Sequence, residues 1–215
     1  MRVALERLPI FPLPDVVLFP HAIMPLHVFE PRYRAMTRDV LAGDRMLSVV
    51  RLRPGFETDY DGRPPVFDIG GMGEVVQSQA LPDGRFNLLL RGISRVRIER
   101  ELPPELPYRL VAARALHDEY SGSDLGIARA ALEALADKLA TVLPQGGDIL
   151  RQVVRDAREP GALADVLAAS VIVEPNARQD LLETVDVAVR LQRVSEAVAE
   201  LLRRLPGPPP STPSN

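Results

Sequence analysis

The sequence contains no cysteine and no tryptophan among its 215 residues, and Lys138 is its only lysine. Without cysteine the chain can form no disulfide, no thiolate nucleophile and no cysteine-ligated metal centre, which is consistent with a reducing compartment. Lys138 stands in the helical stretch 134–140, and no glycine-rich loop precedes it. A phosphate-binding P-loop therefore cannot be built around that lysine.

Positive charge is not in excess either. The 26 Lys and Arg residues are outnumbered by 29 Asp and Glu residues, the formal net charge is -3, and basic residues are spread from Arg2 to Arg204. Proteins that bind nucleic acids usually concentrate positive charge on one face. The charge pattern therefore argues against DNA as a partner.

Long apolar runs are also missing. No run approaches the roughly 18 residues that a membrane-spanning helix needs. Charged residues in the segment 1–6 occupy the place where a signal peptide would have its apolar stretch. We therefore expect a cytoplasmic protein with no membrane partner.

Residues 1–116 have the patterns typical of β-strands. Polar and apolar residues alternate over 95–99, and the segment 82–84, Pro-Asp-Gly, lies between two apolar runs and indicates a hairpin. The six prolines from Pro9 to Pro31 alternate with large apolar residues. This alternation predicts irregular, edge-like strands that still pack on a core.

From residue 117 onward the apolar period becomes helical. One further helix is expected earlier in the chain. It should begin with Pro31 at its first position and end at a cap formed by Gly43. The expected helices cover about 31–43, 124 to near Pro144, a short stretch around 149–154, 162–171, and one continuous helix from about Asn176 to Leu205.

The last of these helices carries apolar residues spaced alternately four and three apart, which is the spacing of a coiled-coil seam. The pattern lasts under three heptads, so it favours a helix that packs within its own bundle, and an intermolecular helix pair is the alternative. We therefore expect a monomer or a weak dimer. The seam residues are Val187, Leu191, Val194, Val198, Leu201 and Leu205.

These patterns together predict an α+β fold in three segments. Residues 1–116 are expected to form a β-rich lobe with one helix, and residues 117–205 a helical bundle. The segment 206–215 is rich in proline and contains no core-forming side chain, so it is expected to be a disordered tail.

Two segments resemble ligand-binding motifs. Glu57–Gly62 together with Asp68 matches the acid spacing of a calcium loop, but prolines and strands flank it, so we expect an exposed acidic loop. The segment 70–73, Gly-Gly-Met-Gly, lacks the third glycine of a dinucleotide fingerprint and precedes a strand. We interpret it as a bend or bulge in a strand.

No catalytic or metal-binding constellation emerges from the remaining polar residues. His21 and His27 are six residues apart, without the glutamate and helical register of a zinc protease. No serine stands in a Gly-x-Ser-x-Gly elbow. We expect no catalytic residue, no bound metal and no cofactor.

The amino-terminal region closely resembles the start of the Lon protease amino-terminal domain family. The resemblance begins with Leu8–Pro20, LPIFPLPDVVLFP, and continues with Met24–Tyr33, MPLHVFEPRY. The resemblance covers about residues 5–203. Later matching segments are Ile69–Val75, Leu81–Arg85, Leu90–Ile98, Ala164–Ala169 and Asn176–Leu191.

This resemblance implies a PUA-like β-rich pseudobarrel followed by an α-helical bundle. Complete Lon proteases continue into an ATPase module and a protease module with a Ser-Lys dyad, and Lys138 fits neither role. The resemblance therefore implies a stand-alone amino-terminal domain that is not an enzyme and has no hydrolytic machinery.

In Lon this domain is associated with recognising polypeptide substrates. The leading hypothesis is therefore binding of unfolded or partly folded polypeptides, or an adaptor role with a protease or chaperone partner in protein quality control. An apolar groove beside an open strand edge would provide the means. The alternative interpretation is that the large apolar candidates are simply core. The candidate contacts are Phe11, Leu13, Phe19, Leu26, Phe29, Tyr33 and Tyr60.

Two other functions remain open. A small-molecule or RNA binder on the PUA-like lobe would need a basic, aromatic-lined face and would bind with strong salt dependence. An unrecognised hydrolase would lose turnover when one side chain is changed. The charge balance counts against the first, and the single lysine counts against a Ser-Lys form of the second.

Overall fold

The computed structural model describes residues 4–60, 62–121 and 124–205, so the predicted tail at 206–215 lies outside the described residues. The described chain contains six strands and six α-helices, which confirms the α+β prediction. The strands are β1 (Ala4–Leu13), β2 (Ile23–Val28), β3 (Met46–Arg51), β4 (Ile69–Ala80), β5 (Phe86–Glu101) and β6 (Arg109–Leu116). The helices are α1 (Pro31–Ala42), α2 (Leu125–Val142), α3 (Gly147–Asp156), α4 (Pro160–Val171), α5 (Pro175–Glu183) and α6 (Val187–Arg204). No described helix is both long and apolar enough to span a membrane.

The chain folds into two compact units. Unit 1 contains the residues up to Glu119 together with Val173–Val185, and unit 2 contains Tyr120–Ile172 and the residues from Asp186 onward. All six strands, α1 and α5 belong to unit 1, whereas α2, α3, α4 and α6 belong to unit 2. The return of α5 to the β-rich unit is a feature that a single boundary near residue 116 does not describe.

The sheet of unit 1 closes on itself because β5 is long enough to pair with three strands. The strand order is β2-β5-β4-β3-β1-β6, and β5 also pairs with β6. The residues Phe86–Arg91 of β5 pair with β2, and Arg95–Glu101 pair with β6. Five strands therefore form a closed barrel, and β2 is added outside it on the first half of β5.

Strand β1 lies between β3 and β6, so the prediction of an edge-like strand near Phe11 is wrong in the position of the strand, although each part of β1 pairs on one side only. Its first part pairs antiparallel with β6 up to Ile10, and its last part pairs parallel with β3 from Ile10 to Leu13. Only Ile10 takes part in both ladders, so most β1 residues have one strand neighbour. Proline is tolerated there because its missing N–H is needed on one side at most.

The glycines of β4 allow another segment to cross the sheet closely, which confirms the interpretation of a bend in a strand. A Cβ atom on Gly71 would collide with the carbonyl oxygen of Leu18. The β4–β5 register shifts between Met72 and Gly73. The segment after β1 can therefore pack its backbone directly on the sheet.

Apolar side chains pack on both faces of the sheet, since neighbouring residues such as Ile10 and Phe11 belong to different clusters. Helix α1 covers one face with its buried stripe of Tyr33, Met36 and Val40. The helix starts at Pro31 and its final turn is closed by the Gly43 N–H, as the sequence predicts.

The predicted continuous helix from Asn176 to Leu205 is wrong, because the chain there forms two helices. Thr184 and Val185 leave the helical path, and the Val185 carbonyl accepts a hydrogen bond from the Glu119 N–H at 2.9 Å. Asp186 then starts α6 by accepting from the Val189 N–H at 3.1 Å. An aspartate cap of this kind satisfies a donor that a new helix start exposes.

Polar side chains attach α5 to the sheet of unit 1. Gln179 donates to the Ile69 carbonyl at 3.0 Å, and Arg178 donates to the Val17 carbonyl at 3.1 Å. In return the buried Arg95 donates to the Leu182 carbonyl at 2.9 Å. These hydrogen bonds satisfy buried donors and acceptors, which would lower the stability of the unit if they had no partner.

In unit 2, α6 packs on α2 and α4. The first four residues of the predicted seam, from Val187 to Val198, are buried, which confirms the bundle interpretation. Arg190 and Asp165 form an ion pair at 3.3 Å, and both side chains are almost completely buried. Loss of one partner would leave the other charge buried and unpaired.

Candidate functional site

The seven candidate residues do not form one surface. Phe11, Phe19 and Tyr33 are buried, whereas Phe29 is 59% exposed. The other three candidates are partly exposed, namely Leu13, Leu26 and Tyr60. The candidates therefore divide between the core and two separate surfaces of unit 1.

The buried candidates have clear structural partners. The ring of Phe11 packs on that of Tyr33 with centroids 4.4 Å apart. The guanidinium of Arg178 lies 5.5 Å from the ring centroid of Phe19. A ligand could reach the rings of Phe11 and Phe19 only after the core had opened, so these two residues belong to the core and not to a contact surface.

The first surface is the outer face of β2. Side chains alternate along this strand, and Met24 and Leu26 pack against the cluster beneath α1 while their neighbours face outward. Ile23 and Phe29 are 55% and 59% exposed, so the row has an apolar residue at each end. We call this row the β2 edge, and it consists of Ile23, Pro25, His27 and Phe29.

The backbone of β2 is open on its outer side. Among the described residues, β2 pairs only with β5. The Ala22 carbonyl accepts from the Gly92 N–H at 2.8 Å, and backbone groups alternate in direction along a strand. Ile23, Pro25 and His27 therefore turn their backbone groups away from β5. Pro25 has no N–H, which lowers the tendency of such an edge to pair with another copy.

A polar network holds the middle of the β2 edge. His27 donates from Nδ1 to Asn87 Oδ1 at 2.7 Å, and the Asn87 amide donates to Gln79 at 3.3 Å. The His27 and Phe29 rings stack with centroids 6.2 Å apart. A shallow cavity of about 380 Å³ lies beside these residues, and Pro25 and Leu89 are among its walls.

The second surface is a cavity of about 290 Å³ beside α1, which we call the Tyr33–Tyr60 cavity. The guanidinium of Arg32 lies 4.8 Å from the Tyr33 ring centroid and 5.3 Å from that of Tyr60. Tyr60 donates its hydroxyl proton to Glu30 at 3.0 Å, and Arg32 donates to the same carboxylate. Other wall residues are Pro12, Leu52, Arg63, Pro64, Pro104, Leu106, Pro107, Tyr108 and Arg109.

Burial keeps the phenols of this cavity protonated. It raises the pKa of Tyr33 to about 12, and burial together with the hydrogen bond to Glu30 raises the pKa of Tyr60. Both groups therefore act as neutral hydrogen-bonding and stacking partners near neutral pH.

The described carboxylates of the acidic segment near Tyr60 are exposed, and two of them have contacts within unit 1. Asp68 lies 3.4 Å from Arg53, and Asp59 accepts from the Arg63 N–H at 3.3 Å. Asp61 lies outside the described residues. In the part of the chain that the structure describes, no three His, Asp or Glu residues are grouped as metal ligands would be.

The family model described as the ATP-dependent protease La (LON) substrate-binding domain matches residues 7–200. Lon protease 2 of Myxococcus xanthus is 30% identical over 193 residues, which cover 89% of this chain and 23% of that protease. The Lon protease of Roseiflexus castenholzii is 34% identical over 197 residues, which cover 88% of this chain and 23% of that protease. The chain thus spans about a quarter of the length of these relatives.

Two solved structures have the same fold. The N-terminal domain of a Lon protease from the Mycobacterium avium complex aligns with a TM-score of 0.72 at 19% identity, covering 91% of this chain and 99% of that one. A Lon N-terminal domain protein from Xanthomonas campestris aligns with a TM-score of 0.61 at 23% identity, covering 94% of this chain and 100% of that one. The fold agrees with the family match, and the chain belongs to the Lon substrate-binding domain family.

Proposed function

We propose that this chain binds unfolded or partly folded polypeptide segments in the cytoplasm and catalyses no reaction itself. Membership of a substrate-binding domain family supports binding of protein substrates. A protease or chaperone partner would then receive the bound segment. To deliver polypeptides to such a partner, this chain needs only a surface that binds many sequences, because the partner would carry out the cleavage or refolding.

The observation that carries this proposal is the open β2 edge. It combines outward backbone groups at Ile23, Pro25 and His27 with apolar side chains, Ile23 and Phe29, that are more than half exposed. An extended segment can add to such an edge through main-chain hydrogen bonds, which are nearly independent of sequence. The apolar row then favours segments that a folded protein would bury.

The test is fluorescence anisotropy of a labelled, permanently unfolded polypeptide titrated with this protein, without nucleotide, at low and high salt. We expect saturable binding that survives high salt, because the contacts are apolar and main-chain. The double variant Ile23→Ala, Phe29→Ala should bind about tenfold more weakly. The control is Ile127→Ala, which truncates a 71% exposed isoleucine in unit 2.

A matched pair of short peptides tests strand addition directly. One is a plain extended peptide, and the other has the same sequence with an N-methyl group on every backbone nitrogen, so that neither edge of the peptide can donate. Strand addition requires weaker binding of the methylated peptide, because it lacks the donors that β2 would engage. Absence of binding at tens of micromolar, or an equal loss with Ile127→Ala, would contradict the proposal.

A further inference from the structure

A second cavity adjoins the Tyr33–Tyr60 cavity in unit 1. It has a volume of about 440 Å³, and its walls combine apolar side chains with the carboxylates Asp39 and Asp44. Leu106 and Tyr108 line both cavities. The two cavities therefore share these side chains as a common wall, and we call the pair of cavities the Leu106 groove. Its additional wall residues are Leu5, Glu6, Arg7, Leu8, Pro9, Val40, Met46, Met72 and Leu110.

One end of the Leu106 groove is basic. Arg32, Arg63 and Arg109 line it, and no other described residue of that wall is charged. Their carboxylate partners, Glu30 and Glu101, lie outside the wall. Arg109 is held by Glu101 through two hydrogen bonds of 2.8 and 2.9 Å, and Arg63 uses its Nη1 on the same carboxylate. Among the described residues, Nε and Nη2 of Arg63 have no acceptor. This guanidinium can therefore receive a further carboxylate.

The other end is acidic. Asp39 accepts from the Tyr108 hydroxyl at 2.7 Å, and Asp44 accepts from the Met46 N–H at 3.0 Å. Neither carboxylate forms an ion pair with another described residue, and both are exposed. These hydrogen bonds fix the carboxylates in position. Glu6 and Arg7 line the same cavity, so its described wall carries three carboxylates and one guanidinium, and Arg7 lies 3.6 Å from Glu105.

The centre of the groove is apolar. Leu106 is 37% exposed, and the rest of its segment, from Pro103 to Pro107, is mostly proline. Proline has a restricted backbone, so this wall loses little entropy when a ligand covers it. An occupant must therefore present apolar groups in its middle and opposite charges at its ends.

We propose that the Leu106 groove binds an extended polypeptide segment with a basic residue near Asp39 and Asp44 and an acidic residue near Arg63. Apolar side chains between them would cover Leu106 and Tyr108. This inference rests on the proposed function of polypeptide binding but uses a surface other than the β2 edge. A segment with the same charge at both ends is disfavoured, because one end always meets a like charge.

The test uses labelled peptides that share one apolar centre and differ only in their end residues. Two are bipolar, with glutamate first and lysine last or the reverse, one has lysine at both ends, and one has glutamate at both ends. At low salt the better bipolar peptide should bind about fivefold more tightly than either uniform peptide, as two exposed charge pairs allow. The tighter of the two bipolar peptides also reports the direction of the bound chain.

Charge-reversal variants should switch this preference. Arg63→Glu should favour the peptide with two lysines, and Asp44→Lys should favour the peptide with two glutamates. The controls Arg97→Glu and Asp180→Lys make the same charge changes at exposed positions of unit 1 outside the groove and should keep the bipolar preference. Thermal unfolding checks that each variant folds, and the milder Arg63→Gln and Asp44→Asn should abolish the preference at their own end.

Equal affinity for all four peptides, or a switch produced by the control variants, would overturn the groove proposal. If the unfolded polypeptide still binds and loses affinity with Ile23→Ala and Phe29→Ala, the proposed function stands without the groove. If the peptides discriminate by charge but those two substitutions have no effect, the groove stands and the β2 edge is not the binding surface. Failure of every probe to bind at tens of micromolar overturns both.

Discussion

Strands β1 and β2 both contain prolines, but they have opposite positions in unit 1. Strand β1 lies between β3 and β6, with Ile10 fully buried. Within the described part of the chain, strand β2 has one strand neighbour, and it carries Ile23, which is more than half exposed. A proline in a strand shows that one backbone N–H is missing from a ladder. It does not show whether the strand lies at the edge of the sheet or between two other strands.

The largest effect should come from making the same substitution in both strands. Ile10→Ala should lower the free energy of unfolding by about 2–5 kcal/mol, because it leaves a cavity beneath two ladders. Ile23→Ala should lower it by less than about 0.5 kcal/mol, because water already reaches that side chain. Urea titrations of the two variants measure both values. Similar losses in the two variants would contradict the assignment of β1 to the interior and β2 to the edge.

A pH-dependent effect tests the helix that covers β1. Burial raises the pKa of Tyr33 from 10.0 to about 12. The unfolded chain therefore loses the phenol proton at a lower pH than the folded chain, and the stabilisation present below pH 10 declines as the pH rises from 10 to 12. Tyr33→Phe should make stability less dependent on pH in this interval, as measured by urea titration at several pH values.

The control for this prediction is Tyr120→Phe, which removes a hydroxyl from an exposed tyrosine of unit 2. An unchanged pH dependence in Tyr33→Phe would show that the phenol is not buried against Phe11 as the structure describes.

The smallest effect on stability should come from Pro25→Ala. The substitution restores an N–H on the outer side of β2, and we expect stability to change by no more than about 0.5 kcal/mol. Self-association should increase instead, because an edge with a complete row of donors pairs more readily with a second copy. Sedimentation at increasing protein concentration measures this. The matched variant Pro9→Ala, within the closed barrel, should show no such increase.

Local patterns predicted most elements correctly. Pro31 and Gly43 marked the ends of α1, and Asp124 marked the start of α2 by accepting from two backbone N–H groups. These signals are local, because a cap acts on donors within its own turn. The break between α5 and α6 was missed although Asp186 offers a cap. Residues 176–205 contain no proline or glycine after Pro175, so their composition favours one continuous helix over a break at Thr184.

The candidate contacts were predicted less well, because exposure depends on partners that are distant in the sequence. Phe11 and Phe29 occupy similar apolar, proline-containing surroundings in the sequence. Phe11 is buried in a cluster formed by α1 and the sheet, whereas Phe29 follows β2, outside the barrel, and is 59% exposed. The alternation of β2 was the available signal for Ile23, but Pro25 and His27 in the same row concealed its apolar character.

The family, the order of strands before helices, and most helix ends were readable from the amino-acid sequence, since these depend on residues close together along the chain. Long-range pairing and packing set the remaining features: β1 lies between two strands and β2 at an edge, α5 returns to unit 1, and two cavities share Leu106 and Tyr108. Such features arise when segments tens of residues apart pair or pack, and a local pattern of side chains carries no information about which partner each will meet.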